Sequence, residues 1–124
     1  MKSNNLIHDL SKAFAVRIVR LSQRLQNEHH EYVLSRQILK SGTSIGANVR
    51  ESRNAQSKAD FINKLNIALK ESDETDYWLE LLLLTGYLNQ ELYDSLVSDN
   101  KYVTAVLTNI IKSCKDTNEN NKEE

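Results

Sequence analysis

No proline interrupts this chain of 124 residues, and only three glycines do. Proline removes an amide donor and clashes with the preceding helical turn; glycine weakens a helix by about 0.5–1 kcal/mol relative to alanine. Average usage would bring about six prolines and nine glycines to a chain this long. Their scarcity predicts an all-α protein, and the length predicts one domain.

Apolar spacing divides the chain into four helices. Leu6, Leu10, Phe14, Ile18, Leu21 and Leu25 recur every three or four residues, one face of a helix over about 4–27. After the polar break Asn27-Glu28-His29-His30, Val33/Leu34, Ile38, Gly42, Ile45 and Val49 mark a second helix over about 31–53. Ser57-Lys58-Ala59-Asp60 reads as a capping box opening a third. That helix runs through Phe61, Leu65, Ala68/Leu69, Ser72, Thr75/Asp76, Leu79 and Leu82/Leu83 to a stop at Gly86. Asn89 caps a fourth, with Leu92, Leu96, Val103, Val106/Leu107, Ile110 and Ile111 inward and a bend expected at Ser98-Asp99-Asn100. Four helices with short connections predict an antiparallel up-down-up-down four-helix bundle over residues 1–115. Residues 116–124, polar and aperiodic, read as a flexible tail.

No run of 18 uncharged apolar residues occurs, so no membrane span is expected. Charges stand in the N-terminal stretch where a signal peptide needs an apolar core, and the single cysteine, Cys114, has no partner for an internal disulfide. These features predict a cytoplasmic protein.

Two glycines fall in Gly42-Thr43-Ser44-Ile45-Gly46. A phosphate-binding loop needs its glycines five apart, a following lysine and a preceding strand. Here they are four apart, Ala47 stands in the lysine's place, and the stretch lies inside helical periodicity. In a helix Gly42 and Gly46 share a face, and with Ala47 they form a small surface for close helix packing. Asn48 and Glu51 lie beside it; if buried they need partners, for which Glu74 or Asp76 of the third helix is available. The expectation is a buried polar network of Asn48, Glu51 and Glu74.

Chemistry-bearing constellations are sparse. No glutamate stands three residues before His8, His29 or His30, so a di-iron carboxylate bundle is not expected, and no metal, cofactor or catalytic group is assigned. The carboxylates Glu71, Asp73, Glu74, Asp76 and Glu80 sit on one helix; a metal-dependent phosphohydrolase built on Glu51, Glu71 and Glu74 is the weakest reading, because the second helix supplies one acid only. Cys114, near a helix C-terminus, is disfavoured as a thiolate.

The net charge of −1 hides a division: residues 1–58 carry +6 and residues 59–124 carry −7. Arg17, Arg20 and Arg24 share a face of the first helix, and Arg36 and Lys40 pair at i, i+4 on the second. Arginine forks suit phosphate oxygens, so these five are the candidate nucleic-acid contacts. The structural alternative is that they neutralise the acidic half, within the fold or between subunits. Leu79, Leu81, Leu82, Leu83 and Leu84 exceed what one bundle core can bury, which predicts an oligomer.

Ser41, Ser44-Ile45, Asn48-Val49 and Glu51 in the second helix, followed by Asp60-Phe61, Leu65, Ile67-Ala68, Glu74 and Tyr77-Trp78-Leu79 in the third, resemble the 23S rRNA intervening-sequence proteins. The resemblance covers roughly residues 8–115. It implies a four-helix bundle that assembles into a ring-like pentamer, without established enzymatic activity, in a family noticed through insertions in 23S rRNA genes. The leading expectation is therefore a non-enzymatic self-assembling module with a nucleic-acid-linked role. The alternative is an oligomer that binds RNA through the basic face of the first helix.

Overall fold

The computed structural model describes residues 2–123, with side chains described for residues 5–116. Four helices follow one another: α1 Lys2–His29, α2 Val33–Ser52, α3 Lys58–Leu84 and α4 Gln90–Glu123. No strand occurs among the described residues. The tail expected over 116–124 falls almost wholly on side chains outside that description.

Local chemistry sets the helix ends. His30 adopts the left-handed conformation at φ 53°, where glycine is usual, and the Glu31 amide donates to Leu25 O at 2.9 Å, one residue wider than a Schellman bond. Tyr32 makes no side-chain cap to α2; the Glu31 carboxylate instead accepts from the Ser35 amide at 2.9 Å. Ser57 Oγ accepts from the Asp60 amide at 3.0 Å, as the capping box requires. The reciprocal bond is shifted by one residue, since Asp60 accepts from the Gln56 amide rather than from Ser57. Gly86, at φ 88°, turns the chain after α3, and Asn89 Oδ1 accepts from the Leu92 amide at 2.8 Å. α4 runs as unbroken helix through Ser98-Asp99-Asn100, where the sequence predicted a bend. Asn100 finds its hydrogen bonds in α3 and leaves the α4 backbone ladder intact.

Cross-helix pairs establish the antiparallel register. Between α1 and α2, Ser22 pairs with Ser35, Ile18 faces Gly42, and Ser11 faces Gly46. Between α2 and α3, Ser41 pairs with Thr75 and Glu51 with Lys64. Between α3 and α4, Ser72 pairs with Thr104 and Asp76 with Asn100. In each case one number falls as the other rises. α1 closes on α4, whereas among the described residues α1 and α3, and α2 and α4, have no Cα atoms within 8 Å. This is a square up-down-up-down bundle. Its centre is filled by Phe14, Ile18, Ile38, Ile45, Leu79 and Leu107, all essentially inaccessible. Each such side chain contributes about 1.5–3 kcal/mol on burial.

Candidate functional site

The basic residues do not form one open face. Arg17 turns toward α4, where its guanidinium donates to Asp99 Oδ2 at 2.6 Å and to Ser95 Oγ at 3.0 Å. Arg24 lies 3.7 Å from Glu28 in a loose pair on the α1 surface, which is worth a few tenths of a kcal/mol. Arg20, Arg36 and Lys40 are exposed and make no ion pair among the described residues.

The small residues of α2 divide in two. Gly42 is buried against the Ile18 side chain, and Gly46 is half-buried over the Ser11 carbonyl. Ala47 is exposed and lies outside this close approach; it lines the shallow groove between α1 and α2.

The buried polar network has other members than the sequence predicted. Asn48 donates to Ser44 O within its own helix. Glu51 is exposed beside Lys64 at 3.4 Å, and Glu74 is exposed. The polar groups that are buried stand elsewhere. Asn100 Nδ2 donates to Ser72 O at 2.9 Å and to Asp76 Oδ1 at 2.7 Å, while its Oδ1 accepts from Ser72 Oγ at 2.7 Å. Thr104 Oγ1 joins Ser72 Oγ at 2.8 Å, and Thr75 donates to Ser41 at 2.9 Å. The spacing Leu96, Asn100, Val103, Leu107 carries the signal for Asn100: it occupies a core position of α4. Burial, the largest cause, pushes the Asp76 carboxyl above its ordinary 3.8; Asp73 adds to this, and the Asn100 bond works against it.

Glu71, pushed up by burial and by neighbouring Glu74, is the other shifted carboxyl. Glu51 is engaged with Lys64, and among the described residues no three His, Cys, Asp or Glu side chains come together as a metal site. The arrangement the phosphohydrolase reading requires is therefore not assembled within the described chain. Cys114 is half-buried on α4. His29 meets Tyr87 edge-on, with ring centres 5.6 Å apart.

Two outer faces are apolar. On α1, Ala15, Val16 and Val19 line a shallow groove with Lys12, Arg20 and Gln23, and Val16 is 47% exposed. On α3, Tyr77, Leu81 and Leu84 recur at i, i+4, i+7; Tyr77 is 55% and Leu84 72% exposed. The leucine surplus seen in the sequence thus reduces to this one stripe, because Leu79 and Leu82 are core and Leu83 is half-buried.

An apolar core and two apolar outer stripes define a small antiparallel four-helix bundle. The chain belongs to the 23S rRNA-intervening sequence protein family, whose model matches residues 3–109. It is similar to a crystal structure, at 1.70 Å resolution, of a protein with unknown function from the S23 ribosomal protein family of Bacteroides thetaiotaomicron. The two are 57% identical over 89% of this chain and 98% of that one, with a TM-score of 0.88. No curated protein matches. Among the described residues, no helix is long and apolar enough to cross a membrane.

Proposed function

We propose that this protein is a cytoplasmic, non-enzymatic assembly module that forms a ring-like pentamer through head-to-tail contact of its α1 and α3 faces. The exposed apolar stripes carry the reading. A cyclic assembly built by rotation alone needs two different faces on each subunit that fit one another. α1 and α3 are diagonal in the bundle, so their stripes look outward in different directions. Their borders have opposite charge. Lys12 and Arg20 flank the α1 stripe; Asp73, Glu74 and Glu80 flank the α3 stripe. Joining them would bury the apolar residues and bring together the basic and acidic halves of the chain.

Light scattering on the purified chain tests this reading. The expected mass is five times the 14.2 kDa of one chain. Val16→Asp should reduce it to one chain without loss of helicity. A wild-type monomer at micromolar concentration would overturn the proposal.

The nucleic-acid link rests on narrower ground. With Arg17 committed to Asp99 and Arg20 bordering the α1 stripe, phosphate contact falls to Arg36 and Lys40, multiplied by the ring. Affinity for a structured RNA should fall steeply with salt and be lost when Arg36 and Lys40 are changed to Glu. Absence of binding at low salt would end this part of the reading.

A further inference from the structure

His8 lies where α1 begins and α2 ends, between two hollows. One, of about 360 Å³, has apolar walls that include Ile7, Phe61, Leu65 and Ile110, with Arg53 and Ser57 on its polar side. The other, about 260 Å³, is the α1–α2 groove with Lys12 and Arg50. His8 lines both. Its Nε2 is shielded from solvent and has no hydrogen-bond partner, a state that buried polar atoms rarely keep.

The charge around it is one-sided. Lys12, Arg50 and Arg53 make no ion pair among the described residues. Burial, then Arg53, Arg50 and Lys12, hold the His8 imidazole below its ordinary 6.5, with Asp9 alone opposing them. Ser57 caps α3, so the positive end of a 27-residue helix opens beside the same cavity, with Asp60 in its first turn. Arg53 on the cavity's polar side, backed by Arg50 and Lys12 of the neighbouring hollow, favours an anion. The aliphatic and aromatic walls favour an apolar body behind it, and the volume is in the range of small-ligand pockets, about 300–1,000 Å³.

We propose that this cavity binds a small amphipathic anion, with its charged head held by Arg53 close to the His8 imidazole and its apolar body against Phe61, Leu65 and Ile110. The site is independent of the ring: it uses neither Val16 nor Tyr77 nor Leu84. Bound negative charge stabilises the imidazolium, so binding strengthens as pH falls and the His8 pKa rises on saturation.

Octanoate is the probe, followed by NMR on the isotope-labelled full chain. Saturable shifts at Phe61, Leu65 and Ile110, with an upward move of the His8 pKa, are expected. Arg53→Gln should weaken binding about tenfold, while Arg53→Lys keeps most of it. Octanol, lacking the charge, should bind at least as weakly as octanoate binds to Arg53→Gln. Inorganic phosphate matching octanoate in affinity would overturn the proposal, because the apolar walls would then contribute nothing. So would the absence of saturable shifts in millimolar octanoate, or shifts confined to the outer faces of α1 and α3.

Discussion

The side chain of Ile18 fills the space in which Gly42 would carry a Cβ: that atom would lie 2.7 Å from Ile18 Cγ2 and 2.9 Å from Cγ1. The contact is with the branched part of a core residue, which has nowhere to move. Gly42→Ala should therefore cost about 1–3 kcal/mol through overpacking, although alanine is the better helix former. At Gly46 the nearest atom is the Ser11 carbonyl oxygen at 3.4 Å, ordinary contact. Gly46→Ala should be neutral or gain up to about 1 kcal/mol. Urea denaturation of both variants checks the pair, and the Gly42→Ala penalty should shrink in an Ile18→Ala background. Equal responses at the two glycines would contradict the geometry.

Asn100 is fully buried and serves Ser72 and Asp76 of α3. Asn100→Ala removes these bonds and leaves a void between α3 and α4. A loss of about 2–4 kcal/mol is expected, larger than for a surface asparagine. Thermal melting measures it, and a loss below about 0.5 kcal/mol would mean the network adds no stability.

Burial holds the Asp76 and Glu71 carboxyls above their ordinary values of 3.8 and 4.5. The folded state thus keeps these protons to higher pH than the unfolded state. Their contribution is fully present below the ordinary values and is lost as pH rises through the folded ones. At neutral pH, Asp76 is a charge held in a partly desolvated place. Asp76→Asn keeps an acceptor for Asn100 and should raise the melting temperature at pH 7, with the gain vanishing in acid. His8 has the opposite sign: its depressed pKa means that stability falls as pH drops below 6.5. A less stable Asp76→Asn at pH 7 would show that the charged acceptor outweighs its desolvation.

His30 holds a left-handed conformation at φ 53° that glycine adopts without penalty. The residue is exposed, so little else is lost by removing its side chain. His30→Gly should stabilise by about 0.5–1 kcal/mol, read from the denaturation midpoint. Destabilisation would mean that the 3.4 Å approach of His30 Nδ1 to the Tyr32 hydroxyl matters more than backbone strain.

The four helices, the Ser57 and Asn89 caps and the turn at Gly86 were legible because each depends on near neighbours in the chain. What crosses the bundle was not. Arg17 and Asp99 are 82 residues apart, and periodicity tells which way a side chain points but not what it meets. Glu74 and Thr75 are adjacent, yet a helix turns about 100° per residue, so Thr75 reaches Ser41 while Glu74 meets solvent. Read with that rotation, Ser41, Ser72, Thr75 and Asn100 were the polar core positions, and the charged residues beside them were not. The close approach at Gly42 lay within reach of the sequence, since two glycines one turn apart need a reason to sit inside a helix.

Assembly through unlike faces is tested most directly by mixing two single-face variants. Val16→Asp disables the α1 face and Leu84→Asp the α3 face. Each alone should sediment as one chain of 14.2 kDa. Mixed, the intact α3 face of the first meets the intact α1 face of the second, and the predicted product is a dimer that grows no further. No complex on mixing, or either variant alone keeping the wild-type mass, would contradict the head-to-tail ring.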